Sequence, residues 1–380
     1  MSTTPFTLTL DGLTTRPAQV WGGVRLVPLV REQPITDLRL RQELYGEREA
    51  TVTAGPQAYT AFLPHGFVAD WTRDGTPAAA YGTQLGSAAP ESVPLERRPG
   101  RLAQRADRTR LRFLPLHLAL EGYLALHFGG PALAWREWSQ RALRHGLSPR
   151  EEEAYCGAAV RGLADALRVF ELHPGQCGLL LYVADALAAA FVVPHPEDYR
   201  ALHRSLLLDL YGDAVHHYAL LSAPVPDFRA DLRSGPPIRS LTELRAAVGQ
   251  QEHAWAEFHD STMAGELLGA VYRGRTVRRM DRFTLLRFLP EFRPRQENHI
   301  GEAITDEHGR LAYLKTFRLS EAQTKRGHLL DTLAAHDWHL TNAASALGLE
   351  EHQLGLRLES AGFGHLLRQD VLDHYRRQAR

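Results

Sequence analysis

The stretch from Gly178 to Val193, GLLLYVADALAAAFVV, is the longest apolar run of the chain and decides its fold. It is short for a membrane-spanning helix, and Asp185 lies in its middle. β-Branched and aromatic residues flank a break at Ala184-Asp185, which favours two buried strands of a hairpin, with a helix in the Ala-rich half as the alternative. We therefore predict a buried hairpin in a protein that does not enter a membrane.

Composition is that of a cytoplasmic globular protein. The 380 residues are enough for two or three domains, and 44% apolar and 23% charged residues are ordinary values. Cys156 and Cys177 form no disulfide or zinc pattern, and the N-terminus has no features of a signal peptide. The formal net charge is zero, so binding to nucleic acid requires a local basic patch.

The segments on either side of the apolar run predict an α+β fold. Strands cut by Gly and Pro dominate residues 1 to about 85, as in VWGGVRLVPLV and AYTAFLPHGFVADW. Helices are predicted at residues 114–128 and 131–147 and again after the run, with Pro196 in the first turn.

Three domains are expected. After a linker comes a middle region with the helix SLTELRAAVGQQEHAWAEF and a hairpin around His308-Gly309, and a helical unit begins near Ser320. We divide the chain into a mixed sheet-and-helix domain (1–225), a linker with an Arg-rich mixed region (226–319) and an all-α domain (320–380).

The order of these segments resembles the bacterial ARPP domains, the ADP-ribosylglycohydrolase and rhodanese-phosphatase-superfamily-associated proteins. The likeness covers roughly residues 15–225 and is clearest where a hairpin precedes the helix YRALHRSLLLDLYGDAV. It implies association with enzymes of ADP-ribose and phosphate chemistry, and it brings no catalytic residues with it. The expectation is a domain that senses a ligand or partner, linked to ADP-ribose or nucleotide stress.

The segment Thr341–Phe363, TNAASALGLEEHQLGLRLESAGF, resembles the Fis-type helix-turn-helix of bacterial regulators. Thr341 lies where an N-cap is expected, Gly348 provides the turn, and Leu354 and Leu358 fall on one face of the second helix. The resemblance implies contact with duplex DNA, and a symmetric DNA site implies a homodimer.

The outward face of the second helix departs from this pattern. At about 100° per residue, His352, Gly355, Leu356 and Glu359 point outward, and Glu351 lies near the boundary. Residues 320–380 contain seven basic and eight acidic residues, which gives little attraction to phosphates. Two roles therefore stay open: contact with DNA through Thr341, Asn342, His352, Gln353 and Arg357, or docking of a protein partner through Glu351, Leu356 and Glu359.

The most basic stretch of the chain is Val271–Arg295, which contains eight arginines interleaved with aromatic residues. It is either a phosphate-contacting surface or a strand pair whose arginines pair with acidic residues elsewhere. On the first interpretation, the DNA-contacting residues are Arg273, Arg275, Arg278 and Arg279.

An enzyme is the remaining alternative, a hydrolase of phosphate- or ADP-ribose-bearing substrates near His117 and Glu121. These residues lie four apart on a predicted helix, a spacing that suits a metal, but a core histidine bonded to a buried glutamate is favoured. Cys177 opens an apolar strand, where a thiol is inert. We expect no catalytic residue, metal or cofactor, and we predict a non-enzymatic DNA-binding regulator, with an interaction adaptor as the first alternative.

Overall fold

The structure, a computed structural model, describes residues 4–38, 167–203 and 235–379, apart from Asp185, and residues 206–207, 223–224 and 232. Between residues 50 and 113 it describes only the backbone of short strands, and the side chains at positions 262, 277, 278, 280 and 365 are not described. The predicted helices at 114–128 and 131–147, with His117 and Glu121, lie outside the described residues, as does Cys156.

The described strands form antiparallel sheets. They are β1 (Thr4–Thr7), β2 (Thr14–Thr15), β3 (Gln19–Trp21), β4 (Val24–Val30), β5 (Ala50–Ala54), β6 (Gln57–Ala61), β7 (Val68–Trp71), β8 (Pro77–Ala80), β9 (Ser92–Pro94), β10 (Arg112–Phe113), β11 (Gln176–Val183), β12 (Ala186–Val192), β13 (Val271–Met280), β14 (Phe283–Leu289), β15 (His299–Thr305) and β16 (Leu311–Arg318). The largest sheet has the order β1-β13-β14-β15-β16-β12-β11-β4-β2, with β3 also paired to β4. The smaller sheets are β10-β7-β8-β9 and β5-β6.

The described helices lie mostly near the C-terminus. They are α1 (Leu241–Phe258), α2 (Gly265–Leu268), α3 (Glu321–Ala335), α4 (Leu340–Ala346), α5 (Glu351–Leu358) and α6 (Gln369–Gln378), and residues 196–203 are also helical. A π-helical turn at His259–Met263 follows α1. None of the helices in the described part of the chain is both long enough and apolar enough to cross a membrane.

The apolar run forms the predicted hairpin. β11 and β12 pair from Gly178 with Val192 to Val183 with Ala186, and Ala184 turns the chain with a φ of 49°. The residues of β11 are buried up to Tyr182. Because both faces of the strand are covered, its apolar residues are continuous rather than alternating.

The large sheet joins distant parts of the chain. β11 pairs with β4 and β12 pairs with β16, while β1 pairs with β13. The expected boundary after residue 225 therefore falls between strands of one sheet. The predicted hairpin around His308-Gly309 is the turn between β15 and β16, and the mixed α+β class is confirmed.

Helices α3, α4 and α5 enclose a second apolar core. Ser320 caps α3, with its Oγ accepting from the Gln323 backbone N–H at 3.2 Å and its own N–H donating to Gln323 Oε1 at 2.9 Å, so α3 begins directly after Ser320. The second core consists of Leu329, Leu333, Ala343, Ala344, Leu354 and Leu358. Trp338 and Phe363 contact both this core and the core of the sheet. These two aromatic side chains thus link the packing of the helices to that of the sheet.

Candidate nucleic-acid interface

Helices α4 and α5 are joined by the glycine turn that the sequence predicts. Gly348 has a φ of +65°, the left-handed region that glycine adopts at no steric cost. Ala343 and Ala344 of α4 are buried, and Leu354 and Leu358 of α5 are fully buried against them. The core-facing side of α5 is therefore as predicted.

The start of α4 corrects one expectation. Its N-cap is His339, and Thr341 lies inside the first turn with an exposed side chain. The reason is the turn before it, where Asp337 and Trp338 both have positive φ and end α3 early enough for α4 to begin at Leu340. The Thr341 hydroxyl is instead bound to α5, donating to Glu351 Oε2 at 2.6 Å.

The outward face of α5 holds a second correction. Gly355 does not point to solvent, because α6 packs on it. A Cβ atom at this position would lie 2.3 and 2.6 Å from two ring carbons of Tyr375. A helical wheel of α5 alone does not show which outward sector the following helix covers.

Two of the expected partner-binding carboxylates are engaged by α6. The Tyr375 hydroxyl donates to Glu351 Oε1 at 2.5 Å, and together the hydrogen bonds from Thr341 and Tyr375 lower the pKa of Glu351. Burial, aided by Glu351, raises the pKa of Tyr375 to about 12, so its hydroxyl stays a donor. Glu359 forms an ion pair with Arg376. Both carboxylates therefore bind inside the helical unit.

The open face of α5 is polar. Gln353 and Arg357 are exposed along it, Ser360 is exposed in the turn that follows, and Thr341 and Asn342 are exposed on α4. Gln353 Oε1 also accepts from the Glu350 backbone N–H at 3.1 Å, which ties it to the helix start. The face offers hydroxyl, amide and guanidinium groups, the side chains that contact DNA bases and phosphates.

His352 and Leu356 are less open than expected. Both are half-buried. His352 lines a groove of about 570 Å³ between the start of α5 and α6, where it shares the wall with Asp370 and His374. It therefore faces α6 as much as solvent, and Leu356 lies at the edge of the open face.

Arg357 differs from three other basic residues of the C-terminal helices, which pair with carboxylates. Lys325 pairs with Glu321 at 2.6 Å, Arg368 with Asp370 at 2.8 Å, and Arg376 with Glu359. Arg357 forms no ion pair with any residue that the structure describes. Its charge is thus available on the open face.

Four of the eight arginines in the Arg-rich stretch are engaged by acidic residues. Arg273 pairs with Asp331 of α3 at 2.6 Å, and Arg282 binds Asp37 through two nitrogens at 2.6 and 2.7 Å. The remaining two pairs are Arg287 with Glu302 at 2.9 Å and Arg293 with Glu291. For these residues the ion-pair interpretation of the stretch applies.

A row of charged residues crosses the sheet at the centre of this stretch. Arg275, Arg287, Glu302 and Lys315 stand opposite one another on β13, β14, β15 and β16. Glu302 is fully buried between Arg287 and Lys315, whose Nζ lies 3.4 Å from Glu302 Oε2. Burial lowers the pKa of Lys315, and Glu302 opposes that shift. Arg287 thus belongs to the interior of the protein.

The Arg-rich strand contacts the C-terminal helices directly. Arg273 reaches Asp331, and its guanidinium lies 6.0 Å from the ring centre of Phe292. Phe292 in turn packs on α3 at Gly327, where an added Cβ would lie 2.2 Å from the ring. Arg275 is half-buried and Arg279 is exposed, while the side chain of Arg278 lies outside the described residues.

Sequence reasoning missed Tyr375 and Arg376. Both lie on α6, where Leu372 and Tyr375 are buried and three apart. That spacing indicates that one face of the last helix is packed against another part of the protein. It did not indicate which side of α5 would be covered.

Elsewhere, several polar groups that resemble catalytic residues are buried in the sheet core. Cys177 is buried, and burial raises the pKa of its thiol to about 11, as expected for an inert residue. The Tyr182 hydroxyl lies 2.8 Å from His259 Nε2, and His259 Nδ1 lies 2.8 Å from Asp260 Oδ1. Tyr182 and His259 are fully buried. Within the described residues, no three His, Cys, Asp or Glu side chains are grouped to hold a metal ion.

The protein is of the mixed α+β class. Its large antiparallel sheet combines strands from the N-terminal, central and C-terminal parts of the chain, and helices pack on it. The family model ARPP-2 matches residues 8–281, and the chain belongs to the ARPP-2 family. The match extends past residue 225 through α1, α2 and β13. No curated protein and no solved structure matches the chain.

Proposed function

We propose that this protein is a non-enzymatic DNA-binding regulator. Its C-terminal helices α4 and α5 are assigned as a Fis-type helix-turn-helix, and its ARPP-2 region senses a ligand or partner linked to ADP-ribose or nucleotide stress. The sequence pattern and the glycine turn at Gly348 support the assignment of the two helices.

The open face of α5 carries the proposal. The sequence placed acidic residues on this face, which would repel phosphates. Glu351 and Glu359 are instead bound to α6, and what remains exposed is Gln353, Arg357 and Ser360. Arg357 is therefore the exposed charged side chain of α5 on this face.

The Arg-rich stretch has two roles in this proposal. Arg273 fixes β13 to α3 and so holds the helices on the sheet. Arg279, which is exposed, and half-buried Arg275 remain for contact with the DNA backbone. The protein acts as a homodimer on a symmetric site, and a monomeric mass at working concentration would argue against this arrangement.

The test is duplex-DNA binding by the full chain over a salt series. We expect affinity to fall steeply as salt rises, and Arg357→Ala to lower it by about tenfold or more, as for a side chain that contacts a base. Arg279→Ala should lower affinity less and equally for all sequences. Arg293→Ala is the matched control, because it removes an exposed arginine that is paired with Glu291 outside the C-terminal helices.

The second candidate is an adaptor that docks a protein partner on the same face. Leu356, half-buried at the edge of this face, favours it. An apolar contact of this kind is nearly insensitive to salt, whereas phosphate contacts are not. Absence of DNA binding at low salt would exclude the first proposal and direct the search to partners.

A further inference from the structure

We propose that α6 acts as a charge-masking helix for the DNA-contacting face of α5. In this role, which rests on the proposed function, Arg376 forms an ion pair with Glu359, Tyr375 binds Glu351 by a hydrogen bond on the side of α5 that α6 covers, and DNA meets the side on which Arg357 is exposed.

The contacts place α6 along one side of α5. Glu351, Gly355 and Glu359 are four residues apart and form a line along the helix. Tyr375 contacts the first two members of this line, through its hydroxyl and its ring, and Arg376 binds the third. Because glycine has no side chain, the tyrosine ring lies directly on the helix backbone.

Charge explains why this contact matters for DNA. Without α6, the exposed surface of α5 would carry the carboxylates Glu351 and Glu359 against the single cation Arg357. Unit charges at a few ångströms from a phosphate contribute about 1 kcal/mol each even in water. A Glu359 carboxylate without its Arg376 partner would therefore offset the attraction that Arg357 supplies.

Arg376 is held in place rather than free to reach a phosphate. Its Nε lies 3.4 Å from Glu359 Oε2, and its Nη1 lies 2.7 Å from Asp373 Oδ1 on the preceding turn of α6. Its side chain is less than half exposed. This geometry favours masking of Glu359 over direct contact between Arg376 and the DNA backbone.

The experiment is a double-mutant cycle on DNA affinity with the full chain. Its four proteins are wild type, Arg376→Gln, Glu359→Gln and the variant with both changes. Arg376→Gln uncovers Glu359 and should weaken binding by about three- to tenfold at low salt. The double variant has no charge at either position, so its affinity should return to within about twofold of wild type.

The outcomes separate the explanations. If Arg376 contacts a phosphate itself, the double variant stays as weak as Arg376→Gln and the salt slope falls by about one, which overturns the masking role. Hydrogen exchange of α6 is measured on all four proteins, and equal exchange in Arg376→Gln and the double variant is required for the comparison. Arg293→Ala, which uncovers Glu291, should leave affinity unchanged. Failure of wild type to bind any duplex overturns the proposed function and the masking role together.

Discussion

Replacing Gly355 with alanine tests the packing of α6 on α5. The added Cβ would lie 2.3 Å from a ring carbon of Tyr375 and 3.4 Å from Leu367 Cδ1. The first distance is far inside van der Waals contact, so the tyrosine ring must move away from the helix. Its movement also lengthens the hydrogen bond to Glu351.

Two opposing terms set the size of the effect. Alanine favours the helical backbone over glycine by about 1 kcal/mol. Overpacking costs about 1–3 kcal/mol, and the weakened hydrogen bond to a charged group adds to that cost. We expect a net loss of about 1–2 kcal/mol in the stability of the α5–α6 contact.

Gly249→Ala is the matched control. Gly249 also lies inside a helix, α1, but a Cβ there would meet no atom within 4 Å. This variant gains the helical preference without the clash and should be stabilised by about 0.5–1 kcal/mol.

The assay is hydrogen exchange of backbone amides, read separately for α1 and α6. In Gly355→Ala the α6 amides should exchange about tenfold faster than in wild type, because about 1.4 kcal/mol corresponds to a factor of ten. In Gly249→Ala the α1 amides should exchange more slowly. Unchanged exchange of α6 in Gly355→Ala would refute the contact between Gly355 and Tyr375.

Three further predictions concern other contacts. Gly327→Ala, whose Cβ would overlap the Phe292 ring at 2.2 Å, should loosen α3 from the sheet and increase proteolysis between β16 and α3, with Gly249→Ala unaffected. Glu302→Ala removes the buried carboxylate beside Lys315 and should lower the free energy of unfolding, measured in urea, by about 3–5 kcal/mol. The control is Glu321→Ala on the surface, and a smaller loss in Glu302→Ala than in this control would contradict the burial of Glu302. The pKa of Glu351 is lowered from 4.5, so the ionised carboxylate stabilises the fold above pH 4.5, and this contribution is lost as the pH falls and the carboxyl protonates. The difference in unfolding free energy between wild type and Glu351→Gln should therefore shrink on acidification.

The local pattern of the sequence was sufficient for several elements. The break at Ala184-Asp185 gave the β11–β12 hairpin, Ser320 gave the start of α3, and Gly348 gave the turn between α4 and α5. In each case a residue with a special backbone or capping preference lies next to a regular apolar period. Such signals act over a few residues and need no knowledge of the rest of the chain.

Long-range pairing was beyond the local pattern. Nothing in residues 4–7 indicates that β1 pairs with β13, more than 260 positions later in the chain. Register and strand order depend on which surfaces are left uncovered when all the elements are assembled. The row of Arg287, Glu302 and Lys315 shows the same dependence. These residues lie far apart in the sequence and become neighbours only when β14, β15 and β16 pair in the sheet.

The sequence by itself determined the α+β class, the central hairpin, the core face of α5 and the membership in a family of ARPP type. Only the tertiary structure decided which charges remain free. Helical periodicity predicts which way each side chain of α5 and its C-cap points. It does not predict that the charge of Glu359 is neutralised, because that depends on Arg376, which α6 brings next to it. Charge is a property of the assembled surface, because a carboxylate in water repels an approaching phosphate, whereas a carboxylate paired with a guanidinium has little net effect on it.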